Sequence, residues 1–140
     1  MKYESLYADF VSLFPEDKDV IQQFEKKNTV FPAEDGMHIL FGFVVVPFVS
    51  ELIKTDDDDK IRRSFNFFED MALSESEDIG EVLDFTILED FISRGNDFLE
   101  KCKSYMGQRT LEDCKSVEEW FIIGKWSLAF NCPYVSIYNR

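Results

Sequence analysis

From Tyr3 to near Phe130, apolar side chains recur at three- and four-residue spacings, in segments broken by Pro, Gly, Asn or acidic clusters. That period lines one face of a helix rather than alternate faces of a strand, so the chain is restricted to amphipathic helices joined by short turns. Tyr3, Leu6, Tyr7, Phe10, Leu13 and Phe14 make the first such face. Pro15 suits the first position of a second helix that continues through Val20, Ile21 and Phe24 to Lys27, with Glu16 and Asp17 at its positive end and Lys26 and Lys27 at its negative end. Asn28 to Pro32 reads as a connection, because Pro32 biases Phe31 towards an extended conformation.

A third helix is expected from Glu34 to Lys54. Its segment Ile39 to Val49 is apolar nearly all round, as in a helix buried between neighbours. The β-branched residues there also suit a buried strand. Pro47 favours the helix, which can bend at a proline, whereas an interior strand would lose a ladder hydrogen bond. Thr55 to Asp59 offers several N-caps for a helix over Lys60 to Leu73, with Ile61, Phe65, Phe68 and Ala72 inward. Ser74 and Glu77 stand at capping-box spacing before a helix from Glu77 to Ser93 that buries Ile79, Val82, Leu83, Thr86, Ile87, Phe91 and Phe85, with Glu77, Glu81 and Asp84 on its polar strip. Gly95 and Gly107 bracket a helix ending near Met106, and a last one runs from Thr110 to near Phe130 carrying Val117, Trp120, Phe121, Ile123 and Trp126. The Tyr134 to Tyr138 tail alternates as an extended segment would. The expected fold is one all-α domain over residues 1–140, an irregular bundle or short α-solenoid-like stack of six to seven helices. No fixed-period repeat supports a regular array.

Charge is as unevenly placed as the apolar residues are even. Residues 51–90 carry 14 of the 28 Asp and Glu against Lys54, Lys60, Arg62 and Arg63, a net of −10 out of −13 for the chain. Because Phe, Leu and Ile continue through this stretch, it reads as the charged outer face of a folded layer rather than an acidic tail. Such charge repels phosphate backbones and anionic membrane surfaces and attracts basic proteins. Acids interrupt the first ten residues, where an export signal needs an apolar run, and the Ile39 to Val49 stretch, broken by Gly42 and Pro47, is too short to span a bilayer. Three cysteines, Cys102, Cys114 and Cys132, then fit reduced thiols and a cytoplasmic location.

Catalytic constellations are missing from the residue pattern. His38 is the only histidine, beside the most apolar segment, and reads as structural. The cysteine spacing lacks C-x-x-C and paired histidines for zinc. Asp56 to Asp59 fails the EF-hand pattern because Lys60, Arg62 and Arg63 occupy the loop. The acids from Glu77 to Asp84 lack the Glu-x-x-His of a di-metal bundle, and there is no P-loop, dinucleotide fingerprint or nucleophile elbow. No catalytic residue, metal or cofactor is expected.

Phe67-Phe68-Glu69-Asp70-Met71, Val82 through Glu89, and Met106-Gly107-Gln108-Arg109-Thr110 together resemble a family of small bacterial helical proteins in which a Phe-x-x-Glu-Met helix precedes an acidic turn, a Val-x-x-x-x-Ile-Leu-Glu helix and a Gly-x-x-Thr joint. Domains of this kind are similar to immunity proteins of toxin–immunity systems, including CdiI-type partners of contact-dependent growth inhibition. The resemblance implies a stoichiometric inhibitor that occludes the active site of a cognate toxin, commonly a basic nuclease, and it supplies no catalytic residues. On that reading the partner-binding face comprises Asp56, Asp57, Asp58, Asp59, Glu75, Glu77, Asp78, Glu81 and Asp84, standing in for the phosphate charge a nuclease expects. The alternative is a helical scaffold or adaptor that takes a basic peptide between stacked helices.

Overall fold

The computed structural model describes residues 1–129, with side chains through residue 122. The expected extended tail from Tyr134 to Tyr138 and Cys132 lie outside the described residues, as do the side chains of Ile123 and Trp126.

Among the described residues there are seven helices and no strand. A 3₁₀ turn at Tyr3–Ser5 leads into α1 (Leu6–Val11), and another at Pro15–Asp17, opened by its proline, leads into α2 (Lys18–Lys27). α3 (Met37–Lys54) follows, then α4 (Asp58–Leu73), α5 (residues 77–93), α6 (Asn96–Lys103) and α7 (Gln108–Ala129). α3 begins three residues later than expected. Glu34 and Asp35 fold back on the Phe31 carbonyl, and the Asp35 carboxylate accepts from the Phe31 amide at 2.7 Å, so this stretch is a closed turn and extended Gly36 precedes the helix. Ser76, not Ser74, caps α5 by accepting from the Ile79 amide, while the Ser74 hydroxyl accepts from the Ser76 amide and tightens the turn before it.

α3 is the central helix. By length and composition it could cross a bilayer, but 56% of it is buried inside the bundle, against α1, α2, α4 and α5. Phe41–Val45 within it is π-helical. Pro47 explains the departure: it has no N–H for the Phe43 carbonyl and its ring crowds that carbonyl, so the turn opens ahead of it. The stranded Phe43 oxygen accepts from Asn28 Nδ2 at 3.0 Å, which ties the end of α2 to the widened turn. α5 carries a second π segment, Val82–Leu88, and the two meet where the missing side chain of Gly42 leaves room for Thr86 Cγ2, 3.4 Å from where a Cβ would sit.

A chain of rings runs through the core. Phe10 of α1 touches Phe14, Phe41, Phe48, Phe67 and Phe68 with centroids 5.2–6.4 Å apart. Phe68 passes the contact to Phe65 and Phe91, and Phe91 to Phe98 on α6. The expected α4 stripe of Ile61, Phe65, Phe68 and Ala72 is buried throughout. At the α4 N-terminus, Arg63 donates to the Leu13 carbonyl (2.6 Å), Glu16 and Asp59 and lies over the Phe14 ring, while Lys60 meets Asp17 at 2.7 Å. These contacts bind the α1–α2 joint to α4.

Candidate functional site

The nine acids expected to form one partner-facing surface fall into three groups. Asp56 to Asp59 sit at the joint between α3 and α4, and cations from the same neighbourhood occupy all four. Asp56 adopts the left-handed conformation (φ 57°) that closes a helix C-terminus, and it contacts Lys101, which also donates to the Ile53 carbonyl. Asp57 caps α4 through the Lys60 amide. Asp58 takes Arg62 at 2.9 Å and the Tyr105 hydroxyl at 3.0 Å, hydrogen bonds that lower its pKa. Asp59 takes Arg63 at 2.8 Å. The densest acidic run in the sequence is therefore a set of caps and local ion pairs.

Glu75, Glu77, Asp78 and Glu81 lie beyond the opposite end of α4 and are exposed, and none forms an ion pair among the described residues. The 16 residues of α4 set the two groups roughly 24 Å apart. That exceeds two screening lengths at physiological salt, about 8 Å each, so the groups act separately on an approaching charge. Beside the second group is a shallow hollow lined by Met1, Asp70, Leu73, Ser74, Glu75 and Ser76. Leu73 is 61% exposed and Met1 51%, so two apolar side chains stand beside the Asp70 and Glu75 carboxylates there. Leu73 stands off the Ile61-Phe65-Phe68-Ala72 stripe, a position in the sequence that turns it away from the core.

Asp84 belongs to neither group. It was expected on the polar strip with Glu77 and Glu81; instead it is half-buried towards α7, where burial first, then the Asp113 charge, push its pKa up to about 6 against an opposing Arg109. Phe85, expected inward, is 57% exposed, while Leu88 is fully buried. The cause is the π segment. Its i→i+5 bonds add a residue to the turn, so side chains beyond Val82 rotate off the positions a regular helix would give them.

A second polar node joins α4 to α7. The Glu69 carboxylate accepts from the Arg109 amide (3.2 Å), the Thr110 amide (2.8 Å) and the Thr110 hydroxyl (2.6 Å), and so caps α7 from a distant helix. Burial works to raise its pKa, but these donors outweigh it and the net shift is downward. His38 is exposed, and its Nδ1 lies 2.5 Å from Thr86 Oγ1. Among the described residues, no group of three or more His, Cys, Asp or Glu is placed to hold a metal ion.

Cys102 and Cys114 are buried on α6 and α7 as free thiols, and burial is the main cause that pushes both up to about 12. Only about 10⁻⁴ of each is then thiolate at pH 8, the form that reacts. Iodoacetamide should modify both about 10³-fold more slowly in the native protein than in urea, read by peptide mass mapping. Similar native and unfolded rates would contradict the packing described.

The family model for a domain of unknown function, DUF7674, matches residues 7–121. No curated protein and no solved structure matches the chain.

Proposed function

The chain belongs to the DUF7674 family, a domain of unknown function, and for this member we propose a non-enzymatic role: it binds a basic protein through the α4–α5 end. The carrying observation is that Glu75, Glu77, Asp78 and Glu81 stand exposed, with no ion pair to them among the described residues, and that Glu75 lines a hollow with the exposed Leu73 and Met1. Uncompensated carboxylates speed and orient the encounter, and an apolar side chain seated in the hollow would supply most of the affinity. Asp56 to Asp59 are less open, since Lys60, Arg62, Arg63 and Lys101 lie against them, with Lys60 and Arg63 also serving Asp17 and Glu16.

Resemblance to immunity proteins makes a cytoplasmic inhibitor of a basic, nuclease-type toxin the specific form of this reading, with inhibition by occlusion. A groove of about 320 Å³ between α2 and α3, lined by Val20, Phe24, Phe48 and Leu52 with Asp17 and Glu51 at its rim, favours the adaptor alternative, a basic peptide held between helices.

Co-expression with the product of the adjacent gene tests the reading. A one-to-one complex is expected, whose association rate falls at least tenfold between about 50 and 500 mM salt. Glu77→Lys with Glu81→Lys should reproduce that fall at low salt, whereas Asp58→Asn with Asp59→Asn should change the rate less than twofold. Equal effects of the two pairs would remove the α4–α5 end as the docking face, and sensitivity at Phe24 and Phe48 would favour the groove.

A further inference from the structure

We propose that the seam between α5 and α7 is an acid-tightened latch, in which an ionised Asp84, half-buried against α7, opposes the negative charge of Asp113 and loosens the seam, and a protonated Asp84 relieves it. This is independent of the partner proposed above. The geometry has three parts. Asp84 is carried on the π segment of α5, which packs directly against α7. Its Oδ1 is shut off from solvent and has no hydrogen-bond partner among the described residues. The charges facing it from α7 are a second carboxylate, Asp113, and a single cation, Arg109, which reaches Asp113 from 3.6 Å.

That cation is shared too widely to neutralise the seam. Glu69 of α4 and Glu112 of α7 add further negative charge around Asp113, and Glu69 is itself fixed on the α7 amides. From α3, His38 is bonded to Thr86, two residues beyond Asp84. An ionised Asp84 therefore carries a buried charge without a donor beside a like charge, and a proton removes both the desolvation of that charge and the repulsion. Burial and Coulomb repulsion agree in direction: both raise Asp84 and burial raises Asp113. The sign follows. A carboxyl that binds its proton more tightly folded than unfolded adds stability on acidification, and that contribution falls as pH rises from about 4 through about 6 and is then flat.

Thermal unfolding of the full chain and of Asp84→Asn from pH 7.5 to 4.5 tests the latch. The amide removes the charge without changing the shape, so the variant should melt about 4 °C or more above the parent at pH 7.5, and the difference should shrink to less than half by pH 4.5. Asp113→Asn gives the same convergence if Asp84→Asn folds poorly, and His38→Gln should leave the difference unchanged. Amide exchange, corrected for its intrinsic pH dependence, should slow across residues 108–117 on acidification in the parent and not in the variant. A difference that stays constant with pH, or an Asp84 carboxyl titrating in NMR in the ordinary aspartate range near 4, would overturn the latch.

Discussion

Phe68→Ala should cost about 3–5 kcal/mol, the largest loss expected of any single truncation in this core. Phe68 is fully buried at the point where α1, α4 and α5 meet. It stacks on Phe10 at 6.1 Å with planes 4° apart and packs edge-on to Phe65 at 5.2 Å, and Phe91 closes the third side at 6.2 Å. Each neighbour is held by a different helix, so the void left by the ring cannot collapse by moving one side chain, and the cavity cost adds to the lost transfer energy. Against a typical total of about 5–15 kcal/mol, the variant should unfold at a much lower urea midpoint with little change in slope. Phe85→Ala is the contrast: the same atoms removed from an exposed site should change stability by less than about 0.5 kcal/mol. Equal losses at the two positions would mean the core does not run where the rings place it.

Glu69→Ala should be nearly as damaging, at about 2–4 kcal/mol, through a different mechanism. Truncation strips the Arg109 and Thr110 amides and the buried Thr110 hydroxyl of their acceptor, and a buried donor left alone costs about 1–3 kcal/mol. Glu69→Gln keeps one acceptor and should lose less than half as much. Gly107→Ala attacks the same joint from the other side, because its Cβ would fall 2.5 Å from Glu69 Cδ and 2.6 Å from Oε1, forcing the carboxylate off the α7 amides. The pH dependence is opposite in sign to that of Asp84. Glu69 is lowered in the folded state, so its contribution is full above the ordinary glutamate range and is lost as pH falls through its folded pKa. Urea titrations of the parent, Glu69→Gln and Glu69→Ala at pH 7 and pH 4 should show the parent moving towards Glu69→Gln in acid, while the gap between the two variants, neither of which titrates at that position, stays the same.

Much of the fold was legible because helical period, proline and capping residues all act locally. Pro15 opening the turn before α2, the α4 stripe, the Gly95 break and the two buried cysteines follow from spacing and side-chain type. The candidate site was less legible, for two physical reasons. Formal charge counts carboxylates without their partners, and Lys101, which meets Asp56 from α6, is 45 positions away in sequence, so no local reading pairs them. Helical projection also assumes a constant turn. The π segments at Phe41–Val45 and Val82–Leu88 break that assumption, and in the second of them Leu88 and Asp84 turn inward where a regular helix would turn them out. The Glu69 node was in view as a Glu on one helix and a Gly-x-x-Thr joint 38 residues later, and only the folded chain shows that the two belong together.

With Asp56 to Asp59 held in local ion pairs, the open carboxylates at the far end of α4 stand alone on their side of the molecule. Within a screening length, a cationic body would be drawn to that end first and so would arrive with one orientation favoured. For two proteins meeting by diffusion, this shortens the angular search, which is a larger obstacle than the distance travelled.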